Sequence, residues 1–337
     1  MSNTHPIDSP CNTLARIFRL TEAKKVACTA SIKANFSCGN VGWAWGHDAM
    51  NDNRVNRAED EERRRILALL LAGGAIASVP TAAADDAPVD EGLNNNLLWA
   101  VAWKQTAAEY RALCYQAYNL ARMRLDDALR QQKTGDRPLA IITDMDNTML
   151  HVGSYWGYLV NENKDFFDDA IWDEWLPNNL VTAVPGSREF FDYCSDKEVD
   201  VFYVTSRNQG ERTYEYALAQ LKYLEVPFAD EDHLFVFRES SDKTPARDQI
   251  AADFDVVVLL GDNLNDYKRD YYVKDIDERL ALMERDRADW GTKFILLPNP
   301  TDGNWVRAIF GESEPPPTDE NRRKLKAAAT RLAWDGH

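Results

Sequence analysis

Four short apolar runs constrain the fold of this chain more than any other feature: Leu139–Thr143, Val199–Thr205, Val256–Leu260 and Phe294–Leu297. Each is bounded by polar residues or by Gly and Pro, and each is too short for a self-burying helix. Continuous apolar runs of this length, separated by helical stretches, form the pattern of a parallel sheet covered on both faces. The intervening helices are placed at Ser187–Cys194, Glu211–Leu224 and Pro245–Ala252. Thr244-Pro245 opens the last of them, with Thr as the capping hydroxyl and Pro where its missing N–H costs nothing. The expected fold class is therefore α/β, a doubly wound parallel sheet with a smaller helical part. A chain of 337 residues, 45% of them apolar, is long enough for one such domain and a modest addition.

The helical part precedes the sheet. Asn94-Asn95-Asn96 offers capping oxygens, and Leu97–Arg130 reads as one helix whose apolar stripe is Tyr110, Leu113, Cys114, Ala117, Leu120, Ala121 and Leu125. Further upstream, Arg63-Arg64-Arg65, the apolar run Ile66–Val79 and Ala82-Ala83-Ala84 have the order of an export signal: basic segment, apolar core, small-residue cleavage site. The run falls short of the roughly 20 residues of a membrane span. Arg64-Arg65 is loosely similar to a twin-arginine signal. Met50 is a natural start for such a signal. The expected organisation is then an upstream extension over 1–49, a signal peptide over 50–84 and a linker over 85–93. A helical region over 94–137, a sheet domain over 138–312 and a tail over 313–337 follow. The mature chain is expected outside the cytoplasm, secreted or in the periplasm or cell envelope, with no membrane span.

Charge narrows the choice of partner. The net charge of −16 repels phosphate backbones, which argues against a nucleic acid polymer. The five Cys include no C-x-x-C pair and fit no zinc spacing. Of the two in the folded part, Cys114 lies on the apolar stripe, which favours a buried thiol; a Cys114–Cys194 disulfide stays open as the alternative.

The chemistry gathers at the ends of the apolar runs. Asp144-Met145-Asp146-Asn147-Thr148 follows the first of them directly. Two carboxylates this close repel each other, and they stand where α/β sheets place their sites. A hard divalent cation such as Mg²⁺ would relieve the repulsion. A calcium loop is excluded, since its sixth and twelfth positions hold Met149 and Tyr155 rather than Gly and Glu. The second run ends in Thr205-Ser206-Arg207-Asn208 ahead of a helix, an anion-binding arrangement. Lys243 precedes the Thr244-Pro245 helix start, and the third run ends in Gly261-Asp262, with Asp266 close behind.

This ordered set resembles the haloacid dehalogenase (HAD) superfamily of phosphotransferases. Trp103–Asn119, Val184-Pro185-Gly186, Phe202–Arg207, Gly261–Leu264 and Leu297-Pro298-Asn299 narrow the resemblance to the class C bacterial acid phosphatases. It runs from about Asn94 to Phe310. Many members of that family are outer-membrane lipoproteins with 5′-nucleotidase activity. The resemblance implies a HAD-like sheet domain and a Mg²⁺-dependent hydrolase of small-molecule phosphate monoesters. It casts Asp144 as nucleophile and Asp146 as general acid and base, with Thr205 and Lys243 as phosphate ligands. Mg²⁺ is then held by the Asp144 carboxylate, the Asp146 backbone carbonyl and the Asp262 carboxylate, with Ser206 and Asp266 in support.

Three departures stand out. No Cys stands directly after the apolar run, so lipid attachment is not implied. Asn147 replaces an acidic residue common in the first motif, and it is not expected to be essential. Asp302 stands where an aromatic would stack on a nucleobase, which weighs against nucleotides more than against phosphate esters in general.

Residues 149–184 form an aromatic-rich insertion that reads as a cap. Most of its rings are expected to make a satellite core, with Tyr155 and Trp156 the candidates for substrate contact. None of the five His lies in an Arg-His-Gly motif, so a histidine phosphatase is not expected. Transfer to alcohol acceptors, and a non-catalytic binding protein on the same fold, remain the alternatives. A dehalogenase would not need Asp146.

Overall fold

The computed structural model of the protein describes residues 94–336. The expected extension, export signal and linker lie outside the described residues. The main elements run α1 (Leu98–Thr106), α2 (Ala108–Gln131), β1 (Leu139–Thr143), β2 (Leu150–His151), α3 (Gly153–Asn161), α4 (Asp169–Trp175) and β3 (Thr182–Ala183). They continue with α5 (Ser187–Asp196), β4 (Asp200–Ser206), α6 (Thr213–Tyr223), β5 (Leu234–Phe237), α7 (Thr244–Asp253) and β6 (Asp255–Gly261). The last are α8 (Ile276–Arg285), β7 (Phe294–Leu296), α9 (Asn304–Phe310) and α10 (Asp319–Ala329).

Five strands form one parallel sheet in the order β5-β4-β1-β6-β7. All five residues of central β1 are buried. Side chains alternate between two cores, as the two-residue repeat of a strand requires. Ile141, Val201, Tyr203, Val258 and Leu260 meet Cys114 of α2, Phe191 of α5 and Ala217 of α6 on one face. Ala140, Ile142, Phe202, Val204 and Leu259 meet Ala246 and Ile250 of α7 on the other. Each fully buried Leu, Ile, Val or Phe contributes roughly 1.5–3 kcal/mol, so both faces hold the sheet. Cys114 and Cys194 are free, buried thiols, which rules out the disulfide alternative.

Several elements differ from expectation. The helix expected over Leu97–Arg130 is interrupted at Ala107, where the backbone is extended (φ −76°, ψ 126°). Ala is the best helix former, so the break is tertiary. The first half packs on α3 and the second on β6 and β7. Edge strand β5 was not anticipated, nor was α8. The segment expected as a tail carries α10, which packs on α9, and Arg322 Nε donates to Asp165 Oδ2 at 2.8 Å.

The aromatic insertion starts and ends in a two-stranded antiparallel ribbon, β2 with β3, which pairs Leu150 with Ala183. Between them Tyr155, Trp156, Phe167, Trp172 and Trp175 pack ring on ring, with Tyr155 and Trp172 centroids 4.9 Å apart. Among the described residues no helix is long and apolar enough to cross a membrane.

Candidate active site

The strand order puts the carboxyl ends of β4, β1 and β6 side by side, so residues following them converge on one edge of the sheet. Asp144 leaves β1 with its N–H bonded to Leu260 O of β6 at 2.9 Å. One of its carboxylate oxygens accepts from Lys243 Nζ. The Thr148 hydroxyl lies 3.3 Å from the other, and 3.1 Å from Asp262 Oδ1, so its one proton serves either carboxylate in turn. Lys243 occupies the N-cap position of α7, one residue earlier than the expected Thr244 cap, and makes no capping bond itself; the Thr244 N–H is taken by Asp242. Its ammonium also donates to Asp266 Oδ1 at 2.6 Å.

Asp262 and Asp266 follow β6 through a tight turn. Asp266 Oδ2 accepts from Asn263 N at 3.0 Å and caps the turn. Only Gly fits at 261: a Cβ there would meet Asp266 Oδ2 at 2.5 Å and Asp266 Cβ at 2.6 Å. Oxygen atoms of Asp144, Asp262 and Asp266 all lie within 4.8 Å of one another. Lys243 pairs with two of the three, and no ion pair among the described residues includes Asp262. Burial pushes the Asp144 carboxyl up to about 7, against the pull of Lys243. Burial, then Asp266 and Asp144, push Asp262 well above the usual carboxylate range. Burial works against the Lys243 ammonium, but Asp144 and Asp266 outweigh it and its pKa is raised. A cluster of hard oxygen donors with surplus negative charge fits a divalent cation.

Asp146 stands apart from that cluster. Arg207, buried at 5% exposure, grips its carboxylate with two parallel bonds, Nε donating at 2.6 Å. Arg207 Nη1 donates in turn to Gln220 Oε1 of α6 at 2.8 Å, and Gln220 Nε2 to Leu176 O at 3.2 Å. Arg207 has no role among the expectations above; its signal in the sequence is a cation placed directly after a buried strand. Asn147, between the motif's second Asp and Thr148, adopts a left-handed backbone, φ 57°.

These groups floor a cavity of about 670 Å³. Thr205, Ser206 and Arg207 line it from β4, and Trp156, Phe167 and Trp172 from the cap. Ser206 Oγ donates to Ser240 O at 3.2 Å. The helix after β4 begins only at Thr213, behind the turn Gly210–Arg212, so its N-terminus lies further from Thr205 than expected. Of the two rings proposed for substrate contact, Trp156 lines the cavity and Tyr155 does not. Tyr155 is fully buried, and its hydroxyl donates to Asp168 O at 3.1 Å and accepts from Asp168 N at 2.9 Å. Asp302 lines the cavity wall, its Oδ1 accepting from Asn147 Nδ2 at 3.1 Å and Asn299 Nδ2 at 2.6 Å.

Residues 79–305 match the family described as HAD superfamily, subfamily IIIB (acid phosphatase). The fold is similar to the class C acid phosphatase of Bacillus anthracis, at 28% identity and a TM-score of 0.64, over 72% of this chain and 99% of that one. A second structure of the Bacillus anthracis enzyme, with tungstate bound, matches at 28% identity and the same TM-score, 0.64, over 70% of this chain and 97% of that one. With more than half of its length inside the family, the chain belongs to HAD subfamily IIIB, the acid phosphatases, and is a phosphoric monoester hydrolase.

Proposed function

We propose that the protein hydrolyses phosphate monoesters through an aspartyl-phosphate on Asp144, with Mg²⁺ as its cation, and that it works outside the cytoplasm. The observation that carries this is the buried Asp144 carboxylate, held between Lys243 and Thr148 at the end of the central strand. An Asp144 oxygen bonds to phosphorus as the bond to the leaving alkoxide breaks, and the Asp146 carboxyl gives its proton to that alkoxide. In the second step a water oxygen attacks phosphorus, the bond to Asp144 breaks, and Asp146 takes the water proton. Arg207 fixes Asp146 in place for both transfers. Thr205 and Lys243 hold the phosphoryl oxygens. The similar Bacillus anthracis structure has tungstate bound, an oxyanion of phosphate-like shape, which supports a phosphate ester as substrate. Asp144 and Asp262, with the Asp146 backbone carbonyl, would hold Mg²⁺. When bound, it screens the nucleophile from the ester dianion and stabilises developing negative charge. Asp266, already bonded to Lys243, orients that ammonium.

On the leaving-group side the cap offers Trp156, Phe167 and Trp172, while Asp302 occupies the place expected for a stacking ring. We therefore place aryl and other simple monoesters ahead of 5′-nucleotides. Export rests on the segment around Ile66–Val79. The test is phosphate release from p-nitrophenyl phosphate and a 5′-nucleotide panel at acidic pH, with Mg²⁺ and with EDTA. Metal-dependent release, lost in a folded Asp144→Asn variant, is the expected result. A tenth of wild-type activity surviving in that variant would remove Asp144 as nucleophile.

A further inference from the structure

Lys104 of α1 is buried, at 3% exposure, on the helix that precedes the catalytic sheet. A buried ammonium is costly unless its protons are used. All three are: Nζ donates to Asn147 Oδ1 at 2.6 Å, Asn299 Oδ1 at 3.1 Å and Thr301 Oγ1 at 3.1 Å. Burial pulls its pKa down to about 8, and Asp302, then Asp262, oppose that. Yet no direct ion pair among the described residues joins Lys104 to either carboxylate. The polar groups stand between them instead. Asn299 takes the ammonium on its Oδ1 and turns both Nδ2 protons on carboxylates, Asp262 Oδ2 at 2.6 Å and Asp302 Oδ1 at 2.6 Å. Asn147 repeats the pattern, with Oδ1 on Lys104 and Nδ2 on Asp302.

An amide can take either of two orientations, and only one presents protons to Asp262. Its oxygen end is held by the Lys104 ammonium together with two neutral donors, Thr301 N at 3.1 Å and Thr301 Oγ1 at 2.7 Å, so Lys104 supplies the only charge that holds it. With Lys104 gone, Asn299 keeps only the neutral Thr301 donors on its oxygen and loses the charge that pins and polarises the amide against Asp262. We propose that Lys104 is a positioning residue for Asp262, acting through Asn299, with Asp302 as its buried counter-charge. The inference rests on the reading of Asp262 as a magnesium ligand. Partners of metal ligands that act in this way are typically worth about 10–100-fold in metal affinity.

The experiment is calorimetric titration of Mg²⁺ into the apo forms of the wild type, Lys104→Met, Asn299→Ala and the double variant, each checked for native circular dichroism. Mg²⁺ affinity should fall by about tenfold or more in Lys104→Met and in Asn299→Ala. The double variant should bind no more weakly than Asn299→Ala, because both changes cut one route. Turnover of Lys104→Met should recover as Mg²⁺ is raised, which a general loss of structure would not allow. Affinity within about twofold of wild type in folded Lys104→Met, or penalties that multiply in the double variant, would overturn the inference and leave the magnesium reading standing. If Lys104→Met does not fold, unchanged affinity in Asn299→Ala overturns it alone. A wild type that binds no Mg²⁺ overturns both.

Discussion

At the scale of single residues, the site separates into groups that announce themselves and groups that do not. Asp144, Thr205 and Asp262 sit at strand ends, and Lys243 at a helix start, where position in the sequence already implies position in the fold. Arg207, Asn299 and Lys104 act across long stretches of chain, and only the folded structure brings their partners to them. Tyr155 was misjudged because nearness to the nucleophile in sequence says nothing of which way a ring points; its hydroxyl is spent on Asp168. Two predictions belong here. Arg207→Ala frees the Asp146 carboxyl, so kcat for alkyl phosphates, whose leaving groups need a proton, should fall by about 100-fold or more. The fall should be much smaller for p-nitrophenyl phosphate, and equal losses on both substrates would contradict Asp146 as general acid. Asn147→Leu removes the donor to Asp302 and the acceptor for Lys104 together, leaving both buried groups one partner short. It should cost roughly 1–3 kcal/mol in urea unfolding, and an unchanged midpoint would show that the amide is not needed.

At the scale of elements, the apolar runs marked four of the five strands, and helices α5, α6 and α7 fell close to their expected positions. Strand β5 escaped because it is an edge strand, half-covered beyond Leu234, without the continuous burial that marks the centre. The break at Ala107 was illegible because no residue there opposes helix; α1 turns away to pack on α3. Just before β5 lies His233. Its ring stacks on Phe202 and packs against Phe228, and its nitrogens meet Asp230 at 2.7 Å and Asp200 at 3.3 Å. Burial lowers its pKa, but Asp200 and Asp230 outweigh that and leave it raised above the ordinary 6.5. The folded state therefore holds this proton more tightly than the unfolded one. The resulting stability is fully present below pH 6.5 and is lost as pH rises through the folded value. The Tm gap between wild type and His233→Gln should be widest in acid and should narrow toward alkaline pH. A gap constant across that range would mean the histidine is held by packing alone.

At the scale of the whole molecule, the carboxylate cluster makes the apo protein carry strain that a cation removes. A cation that binds only the folded state stabilises it by about 2.7 kcal/mol at a hundredfold its Kd. For a domain of this size that is a rise of roughly 5–10 °C in Tm. EDTA should reverse the rise, and Asp262→Asn should abolish it without lowering the Tm of the apo form. A Tm indifferent to Mg²⁺ would count against the cluster as a metal site. The way the site is strung along the chain has a further consequence for how the protein is made. Lys104 and Thr301 are 197 residues apart, and Asp144 and Lys243 are 99 apart. Loops of that length must close before these contacts can hold, and the partners from residues 299–301 are made long after the nucleophile. A nascent chain stopped short of Asn299 has its nucleophile but not the amide that bonds Asp262, so the site is complete only after residues 299–301 have joined it.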